Sequence, residues 1–211
     1  KKGLGKTEAN ILVFLSGVCF FSRGFLRCRF LRCRSFFSRS LFCCWFFRDP
    51  ERSIPQEPRV IVSPADGKVV EIIKESDPLL PNDNYIRVSV FLNVFNVHVN
   101  RVPIAGKIEA KRYNKGKFLN AANHKASLDN EQNTILLNNG STKILVKQIA
   151  GLIARRIVCY AKEGDDYRLG QRFGLIRFGS RTDIFVPEGT ELKVKKNDIV
   201  SGGSSIIGYL K

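Results

Sequence analysis

The dipeptide Gly179-Ser180 is the part of this sequence whose residue types most directly suggest chemistry. A serine hydroxyl can attack the carbonyl of a preceding glycine, because glycine has no side chain to obstruct the approach and tolerates strained backbone angles. The attack converts the amide to an ester, and elimination then breaks the chain and leaves a pyruvoyl group in place of the serine. Such a group is an electron sink that takes an amine substrate as a Schiff base. Gly-Ser alone, however, also occurs in ordinary turns.

His98 is a candidate proton carrier in the alternating run 97–102, VHVNRV. Alternation predicts that His98 and Asn100 lie on one face of a strand, opposite Val97 and Val99. A histidine titrates near neutral pH, so His98 could assist chain cleavage or protonate a carbanion; it could equally be a half-buried polar residue. Asp66 lies in the turn sequence PADG, where spacing alone predicts that its side chain closes the turn.

Basic residues farther along the chain are candidates for binding a phosphate or a carboxylate. Arg155, Arg156 and Lys117 are the ones we single out, because both kinds of anion match a guanidinium or ammonium donor. Adjacent strand residues point to opposite faces, so we expect at most one of the two arginines to line a site.

Positive charge is concentrated at the N-terminus of the chain. The formal net charge of the 211 residues is +16, and residues 1–50 hold ten Lys and Arg against two acidic residues, a net of +8. These basic residues alternate with Phe, Leu and Trp, which favours an anionic membrane surface over a nucleic acid as the partner. In the second half of the chain the basic residues are not interleaved with aromatic residues in this way, and a role in solubility explains them equally well.

The six cysteines do not indicate a metal site. Five of them precede residue 45, none forms a Cys-x-x-Cys pair, and the chain has only two histidines. The spacing therefore argues against zinc, and we predict no metal cofactor. The cysteines lie in an apolar, basic stretch without the turns of a disulfide scaffold, so we expect reduced thiols.

Residues 1–47 form a compositionally distinct segment that we expect to associate with a membrane. Apolar runs at 11–21 and 41–47 are each too short to span a bilayer, and six arginines separate them. An interfacial anchor, with arginines among the headgroups and aromatic rings below, fits this pattern best. A signal peptide is the alternative, because lysines precede the first apolar run. We place the catalytic domain at residues 48–211.

The remainder of the chain predicts an all-β domain. Twelve short β-rich runs between residues 60 and 210 are separated by Gly, Asn, Asp and Pro, and one of these predicted strands begins at Asp183. Two internal similarities suggest a repeat: PADGKV at 64–69 resembles PIAGKI at 103–108, and EGDDYRLG at 163–170 resembles KNDIVSGG at 196–203. Paired β units of this kind predict a barrel-sandwich similar to lipoyl and biotinyl domains, although such turns also recur by chance.

Six motifs, taken in order, resemble a known family. They are FRDPER (47–52), SPADGK (63–68), FNVHVNR (95–101), GKFLN (116–120), QIAGLIARRIV (148–158) and RFGS (177–180). Together they are similar to the short form of the phosphatidylserine decarboxylases, pyruvoyl-dependent membrane enzymes, over roughly residues 46–211. No single motif is decisive, but the ordered set is specific.

The resemblance implies a role for each candidate residue. Cleavage between Gly179 and Ser180 would give chains 1–179 and 180–211, with Ser180 converted to the covalent pyruvoyl cofactor. His98 would act in turnover, and Asp66 would orient the histidine as in a Ser-His-Asp arrangement. The longer branch of the family carries a second histidine where this chain has Arg101, which leaves the base for self-cleavage open.

The resemblance also implies a substrate, partners and a location. The reaction would convert phosphatidylserine to phosphatidylethanolamine and CO2. The two cleavage products would form a heterodimer, alone or within a higher oligomer, and no nucleic acid would be bound. Relatives carry an apolar N-terminal anchor, which implies peripheral or N-terminally anchored attachment to the cytoplasmic side of the cell membrane.

Two other functions remain open from the residues alone. One is a pyruvoyl decarboxylase of a soluble amino acid, which the aromatic and basic N-terminal segment disfavours. The other is a non-enzymatic, membrane-tethered β-sandwich adaptor, which would remain one intact chain. A nucleic-acid binder is the least favoured, because the basic residues do not lie on an aromatic-bearing sheet.

Overall fold

The structure, a computed structural model, describes residues 29–82, 84–116, 130–151, 156–177 and 179–211. The chain divides into two compact units, Lys1–Cys43 and Cys44–Lys211. All the described strands belong to the second unit, which therefore carries the β domain that the sequence predicts.

One helix, α1, runs through Arg29–Phe46. The sequence pattern did not predict it, because arginines at 29, 32, 34 and 39 interrupt the apolar residues and leave no continuous apolar stripe. Among the described helices, none combines the length and apolar character that crossing a membrane requires.

The described part of the second unit contains fourteen strands. In chain order they are β1 (Val60–Val62), β2 (Gly67–Lys74), β3 (Tyr85–Leu92), β4 (Val99–Arg101), β5 (Gly106–Asn114), β6 (Gln132–Asn138), β7 (Lys143–Ala150), β8 (Ile157–Cys159), β9 (Asp166–Tyr167), β10 (Arg172–Ile176), β11 (Ser180–Pro187), β12 (Glu191–Leu192), β13 (Ile199–Val200) and β14 (Ile206–Tyr209). This content confirms the mainly β fold class.

The strands form three antiparallel sheets. The largest has eight strands in the order β13-β2-β3-β11-β7-β6-β5-β9 and curls into a half-barrel. The two smaller sheets have the orders β1-β14-β12 and β4-β10-β8. Strand β11 is central, because it pairs with β3 on one side and with β7 on the other. Its neighbour in sequence, β10, lies in a different sheet.

Alternation along β11 decides which side chains reach the core. Ile184 and Val186 point into the main apolar cluster, so Ser180 and Thr182 share that core face while Arg181 lies on the opposite face. On β7 and β6 the core face likewise ends in polar or small residues, Gln148 and Ala150 on β7 and Asn133 on β6, whereas β3 keeps the apolar Leu92 opposite Ser180. The interior of the domain is therefore apolar along most of its length and polar at the Ser180 end.

Hydrogen bonds confirm the internal repeat. Two backbone hydrogen bonds in one half of the domain have equivalents in the other half. The equivalent residues are 39 positions apart in the first similarity (64–69 with 103–108) and 33 positions apart in the second (163–170 with 196–203). The matching N–H to O=C pairs are Val69 to Asp198 (2.9 Å) with Ile108 to Asp165 (2.9 Å), and Gly203 to Ser63 (2.8 Å) with Gly170 to Val102 (2.9 Å). Two similar β units thus interlock, as the sequence predicted.

Candidate functional site

Ser180 is the first residue of the central strand β11. Its Cα partners are Leu92 on β3 and Ala150 on β7. The sequence predicted that this strand begins at Asp183, so the structure extends it by three residues towards the site. Gly179, just outside the strand, has a φ of 57°, in the left-handed region that favours glycine. The Gly179–Ser180 bond therefore lies where the chain passes from one sheet into another.

The Ser180 hydroxyl is buried without a hydrogen-bond partner. The residue is 0% exposed, and its Oγ has no hydrogen-bond donor or acceptor among the described residues. An unpaired buried hydroxyl is costly, so it points to a functional reason for its position. A Cβ added at Gly179 would meet no atom of the described residues within 4 Å, so there is free space on that side of the Gly179–Ser180 bond.

Four polar side chains form a continuous chain beside Ser180 on the core face. Asn133 donates to Gln148 (3.0 Å), Gln148 donates to Asn100 (2.8 Å), and Asn100 donates to the Thr182 hydroxyl (3.2 Å). All four are buried, and each amide is fixed in orientation by its neighbours. The members of this amide chain lie on four different strands, so no local motif in the sequence indicates it.

His98 lies immediately before β4 and is almost fully buried. The Phe46 ring packs against its imidazole, with centroids 4.3 Å apart. Burial lowers the pKa of His98 from 6.5 to about 4; the hydrogen bond to the Asn96 carbonyl opposes this shift, and the charge of Arg48 adds to it. The imidazole is therefore neutral at physiological pH.

The tautomer of His98 follows from its one hydrogen bond. Nδ1 lies 2.8 Å from the Asn96 carbonyl oxygen, which can only accept, so Nδ1 carries the proton. Nε2 then presents a lone pair, and it is buried without a hydrogen-bond partner in the part of the chain that the structure describes. His98 and Ser180 thus each hold an unpaired buried polar atom, one basic and one a hydroxyl.

Contacts to β10 and β11 place the His98 segment on both sides of Ser180 in sequence. The His98 carbonyl accepts a hydrogen bond from Ile176 N–H (3.2 Å), four residues before Ser180. The Asn100 side chain contacts Thr182, two residues after it. These two contacts place the backbone of residues 98–100 beside the segment 176–182, and of the two side chains it is Asn100 that contacts β11.

Asp66 contacts other residues than His98. Its carboxylate accepts hydrogen bonds from the Arg52 guanidinium (2.7 Å) and from Gly202 N–H (2.7 Å). Among the described residues, no hydrogen bond joins Asp66 to His98; the group that orients the imidazole is the Asn96 carbonyl. The predicted use of Asp66 to orient the histidine has no direct contact behind it and stays a prediction.

Arg101 lies at the opposite end of β4 from His98, close to the Asp66 turn. Its Cδ lies against Gly203, which follows the Gly202 that Asp66 holds. The guanidinium donates to Asp49 (3.0 Å), the Pro50 carbonyl and the Gly170 carbonyl. Burial lowers the pKa of Arg101, but an arginine remains charged in a protein. The position that is histidine in the longer branch is therefore a structural cation here.

The segment 48–52, which we call the strap, is held on the domain by alternating charges. Asp49 pairs with Arg101 and Arg172, and Glu51 pairs with Arg172 (2.8 Å). Arg52 at its end pairs with Asp66 (2.7 Å). The RDPER motif thus has a clear structural use, which is to fix the entry to the β domain.

The predicted anion-binding residues have different positions. Lys117 and Arg155 lie outside the described residues. Arg156 is exposed just before β8. Its carbonyl accepts from Arg177 N–H (3.4 Å), and the Arg177 guanidinium lies 5.9 Å from the Phe47 ring centroid. Arg177 is a candidate that the sequence analysis missed; its place three residues before Ser180 was the available signal.

Comparisons with known proteins point in one direction. The family model for phosphatidylserine decarboxylase matches residues 40–208. A phosphatidylserine decarboxylase proenzyme from Syntrophus aciditrophicus is 50% identical over 169 residues, which are 80% of this chain and 79% of the relative. The one from Chlorobium phaeobacteroides is 43% identical over 210 residues, 100% of this chain and 97% of the relative. A proenzyme from Rickettsia typhi is 48% identical over 171 residues, 79% and 74% of the two chains.

Proposed function

The chain belongs to the phosphatidylserine decarboxylase family, and on that premise we propose that it cleaves itself at the Gly179–Ser180 bond and then decarboxylates phosphatidylserine to phosphatidylethanolamine and CO2. The observation that carries this proposal is the buried, unpartnered Ser180 hydroxyl next to a glycine in the left-handed conformation. A hydroxyl with no competing hydrogen bond is free to attack the adjacent carbonyl.

Self-cleavage needs a base for the Ser180 proton, and His98 is our candidate. Its Nε2 is unprotonated, buried and unpaired, and its low pKa keeps it neutral across the physiological range. In the cleavage step, Oγ adds to the Gly179 carbonyl carbon and the amide nitrogen leaves, so the peptide becomes an ester. Elimination then releases Gly179 as the new carboxyl terminus, and hydrolysis of the remaining residue gives the ketone and ammonia.

Asp66 supports the site through the backbone in our proposal. Its two hydrogen bonds connect Arg52 of the strap to Gly202 in the 201–205 turn. The adjacent Gly203 donates to the Ser63 carbonyl, which closes the same turn. Asp66 therefore holds the strap and the region 180–211 together at the Arg101 end of β4, and its effect on His98 would be indirect.

The pyruvoyl group supplies an electron sink for the electron pair that remains when the carboxylate leaves as CO2. The residues present fit this group, because position 180 is enclosed by β3 and β7 and bordered by the fixed amides of Asn100 and Gln148. These amides and the Thr182 hydroxyl orient what enters the site. In the proposal His98 would also return a proton from Nε2 to the substrate carbon after CO2 has left.

Region 180–211 would remain bound after cleavage. Strand β11 is hydrogen-bonded on both edges, β13 pairs with β2, and β14 pairs with β1. Removing this region would take out the centre of the largest sheet. We therefore propose that the cleavage products, 1–179 and 180–211, form a heterodimer held by these strands.

Substrate binding and location complete the proposal. Arg156 and Arg177 are the described candidates for the lipid phosphate or carboxylate, with Arg155 and Lys117 as further candidates from the sequence. Arginine matches both anions geometrically. Residues 1–47, basic and aromatic, are proposed to hold the enzyme on the cytoplasmic side of the cell membrane.

Intact mass spectrometry of the denatured protein tests the cleavage. We expect two species, residues 1–179 and a fragment 180–211 that begins with pyruvoyl instead of serine. Ser180→Ala should give one intact, inactive chain. Ser89→Ala is the matched control, because Ser89 is a second fully buried serine with an unpartnered Oγ, on neighbouring β3. Complete cleavage of Ser180→Ala, or full activity without cleavage, would refute the mechanism; release of CO2 only from free amino acids would refute the substrate.

A further inference from the structure

Two aromatic side chains of the second unit are exposed side by side. Phe95 is 69% exposed and Trp45 is 39% exposed, and their rings meet edge to face with centroids 6.0 Å apart. Arg48 lies over the Trp45 ring, 4.2 Å from its centroid. We call Trp45, Arg48 and Phe95 the aromatic rim.

The rim is held in its exposed position by hydrogen bonds. Phe95 lies in a tight turn in which its N–H donates to the Asn93 side chain (2.8 Å) and Asn96 N–H donates to the Asn93 carbonyl (3.1 Å). Arg48 donates to the Phe95 carbonyl (2.7 Å) and to the Trp45 carbonyl (3.0 Å). The rings are thus presented to solvent by an ordered backbone, and binding a partner would cost little ordering entropy.

The rim is at the same end of the large sheet as Ser180. Ser180 pairs with Leu92, three residues before Phe95. Phe46, the neighbour of Trp45, packs on His98. The consecutive residues Trp45 and Phe46 therefore have different roles: Phe46 packs on the buried His98, and Trp45 is part of the exposed rim.

Three arginines lie at the end of the domain that carries the rim. Arg48 is part of it, and Arg156 and Arg177 lie at the same end of the domain, where β8 and β10 approach Ser180. The nearest acidic residues in the sequence, Asp49 and Glu51, are neutralised by the arginines of the strap contacts. Exposed aromatic rings together with arginines are characteristic of surfaces that bind at the headgroup region of an anionic bilayer.

We propose that the aromatic rim docks on anionic phospholipid bilayers independently of residues 1–43 and seats the Ser180 end of the β domain on the membrane. Trp45 lies near the end of the proposed membrane segment 1–47, and Arg48 and Phe95 extend that contact onto the β domain. The lipid substrate of the proposed function gives this surface its use, but the docking itself requires neither cleavage nor turnover. A substrate headgroup could then reach the site without its acyl chains leaving the bilayer.

Fluorescence of Trp45 provides a direct test, because it is the only tryptophan in the chain. The full chain is mixed with vesicles of phosphatidylglycerol and phosphatidylcholine, which lack the substrate headgroup. We expect a blue shift of the emission and protection from acrylamide. Phe95→Ser should weaken vesicle affinity roughly ten-fold, since it removes about one half-inserted aromatic side chain. Performing the experiment with the Ser180→Ala protein separates docking from the failure of cleavage.

A second pair of variants separates the rim from the N-terminal segment. Trp45→Phe with Phe95→Trp moves the only tryptophan onto the turn, and quenching by brominated lipids should then place it within the interface. Trp45→Phe with Ser141→Trp is the control, because the hairpin 139–142 lies at the far end of β7, about 25 Å along the strand from Ala150. This tryptophan should stay accessible to acrylamide.

Three results would overturn the proposal. One is a Phe95→Trp emission that does not change while the protein sediments with vesicles. Another is a Phe95→Ser protein with unchanged vesicle affinity. The third is burial of the rim without lipid in a manner that depends on protein concentration, which would assign the surface to a second copy of the chain.

Discussion

Replacing Phe46 by alanine should raise the pKa of His98. The imidazole owes its low pKa of about 4 mainly to burial, and the Phe46 ring covers one face of it at 4.3 Å. The difference between 6.5 and about 4 corresponds to roughly 3 kcal/mol between the two protonation states. Opening one of the two ring faces to water should bring the pKa part of the way back towards 6.5, by an amount worth about 1 kcal/mol.

The same shift predicts how stability depends on pH. Between about pH 4 and 6.5 the unfolded state binds a proton at His98 that the folded state does not. Stability therefore rises with pH through this window and is lost as the pH falls towards 4. In Phe46→Ala the folded-state pKa of His98 should be higher, so the pH range over which stability changes should begin above pH 4. The variant should also lose about 3–5 kcal/mol of packing free energy.

Proton NMR can follow this titration residue by residue. The chain has two histidines, so His124→Gln leaves His98 as the only imidazole. Phe46→Leu should keep the apolar cover and a pKa near 4. Phe47→Ala is the matched control, because its ring packs on Phe46 with centroids 5.0 Å apart and not on the imidazole. A folded Phe46→Ala protein with an unchanged His98 pKa would refute the assignment of the shift to this cover.

Three further predictions concern the bond, the supporting carboxylate and the cofactor. Gly179→Ala should slow self-cleavage and lower the free energy of unfolding by about 1 kcal/mol. Gly164→Ala, at a similar left-handed position with equally free space, should lower the stability as much but cleave normally. Equal cleavage rates of the two variants in a mass-spectrometric time course would contradict this prediction. Asp66→Ala should lower the free energy of unfolding by about 1–3 kcal/mol in urea, because Gly202 N–H and the Arg52 guanidinium lose their acceptor; Asp77→Ala, at another part-buried ion pair, should leave self-cleavage unchanged where Asp66→Ala slows it. Hydroxylamine or borohydride should inactivate the cleaved enzyme, and indifference to both would argue against a ketone at position 180.

Much of the fold was predictable because its signals are local. Strand alternation and the Gly-Asp turns depend on only a few neighbouring residues. The two internal similarities correctly indicated interlocked halves. The helix was missed because its arginines break the apolar pattern. Strand β11 was predicted too short because Gly179 and Ser180 look like a turn, while its pairing with both β3 and β7 extends the strand to Ser180.

The site was less predictable because its residues come together only in the folded domain. Ser180 was identified by local sequence, since the chemistry requires a glycine before it. Phe46 against His98 could not be foreseen, because 52 positions separate them and nothing in either motif specifies the contact. The partners of Asp66, Arg52 and Gly202, were hidden for the same reason.

The position of β11 between β3 and β7 affects how the protein could refold after cleavage. In the uncut chain β10 and β11 follow one another in sequence, so the chain folds as one molecule. If it is cut at Gly179–Ser180 as we propose, a denatured molecule would have to recover its central strand from a separate peptide, so refolding would become bimolecular and depend on concentration. The mature form would then persist through slow unfolding and not through reversible equilibrium, and each molecule would have one opportunity to assemble.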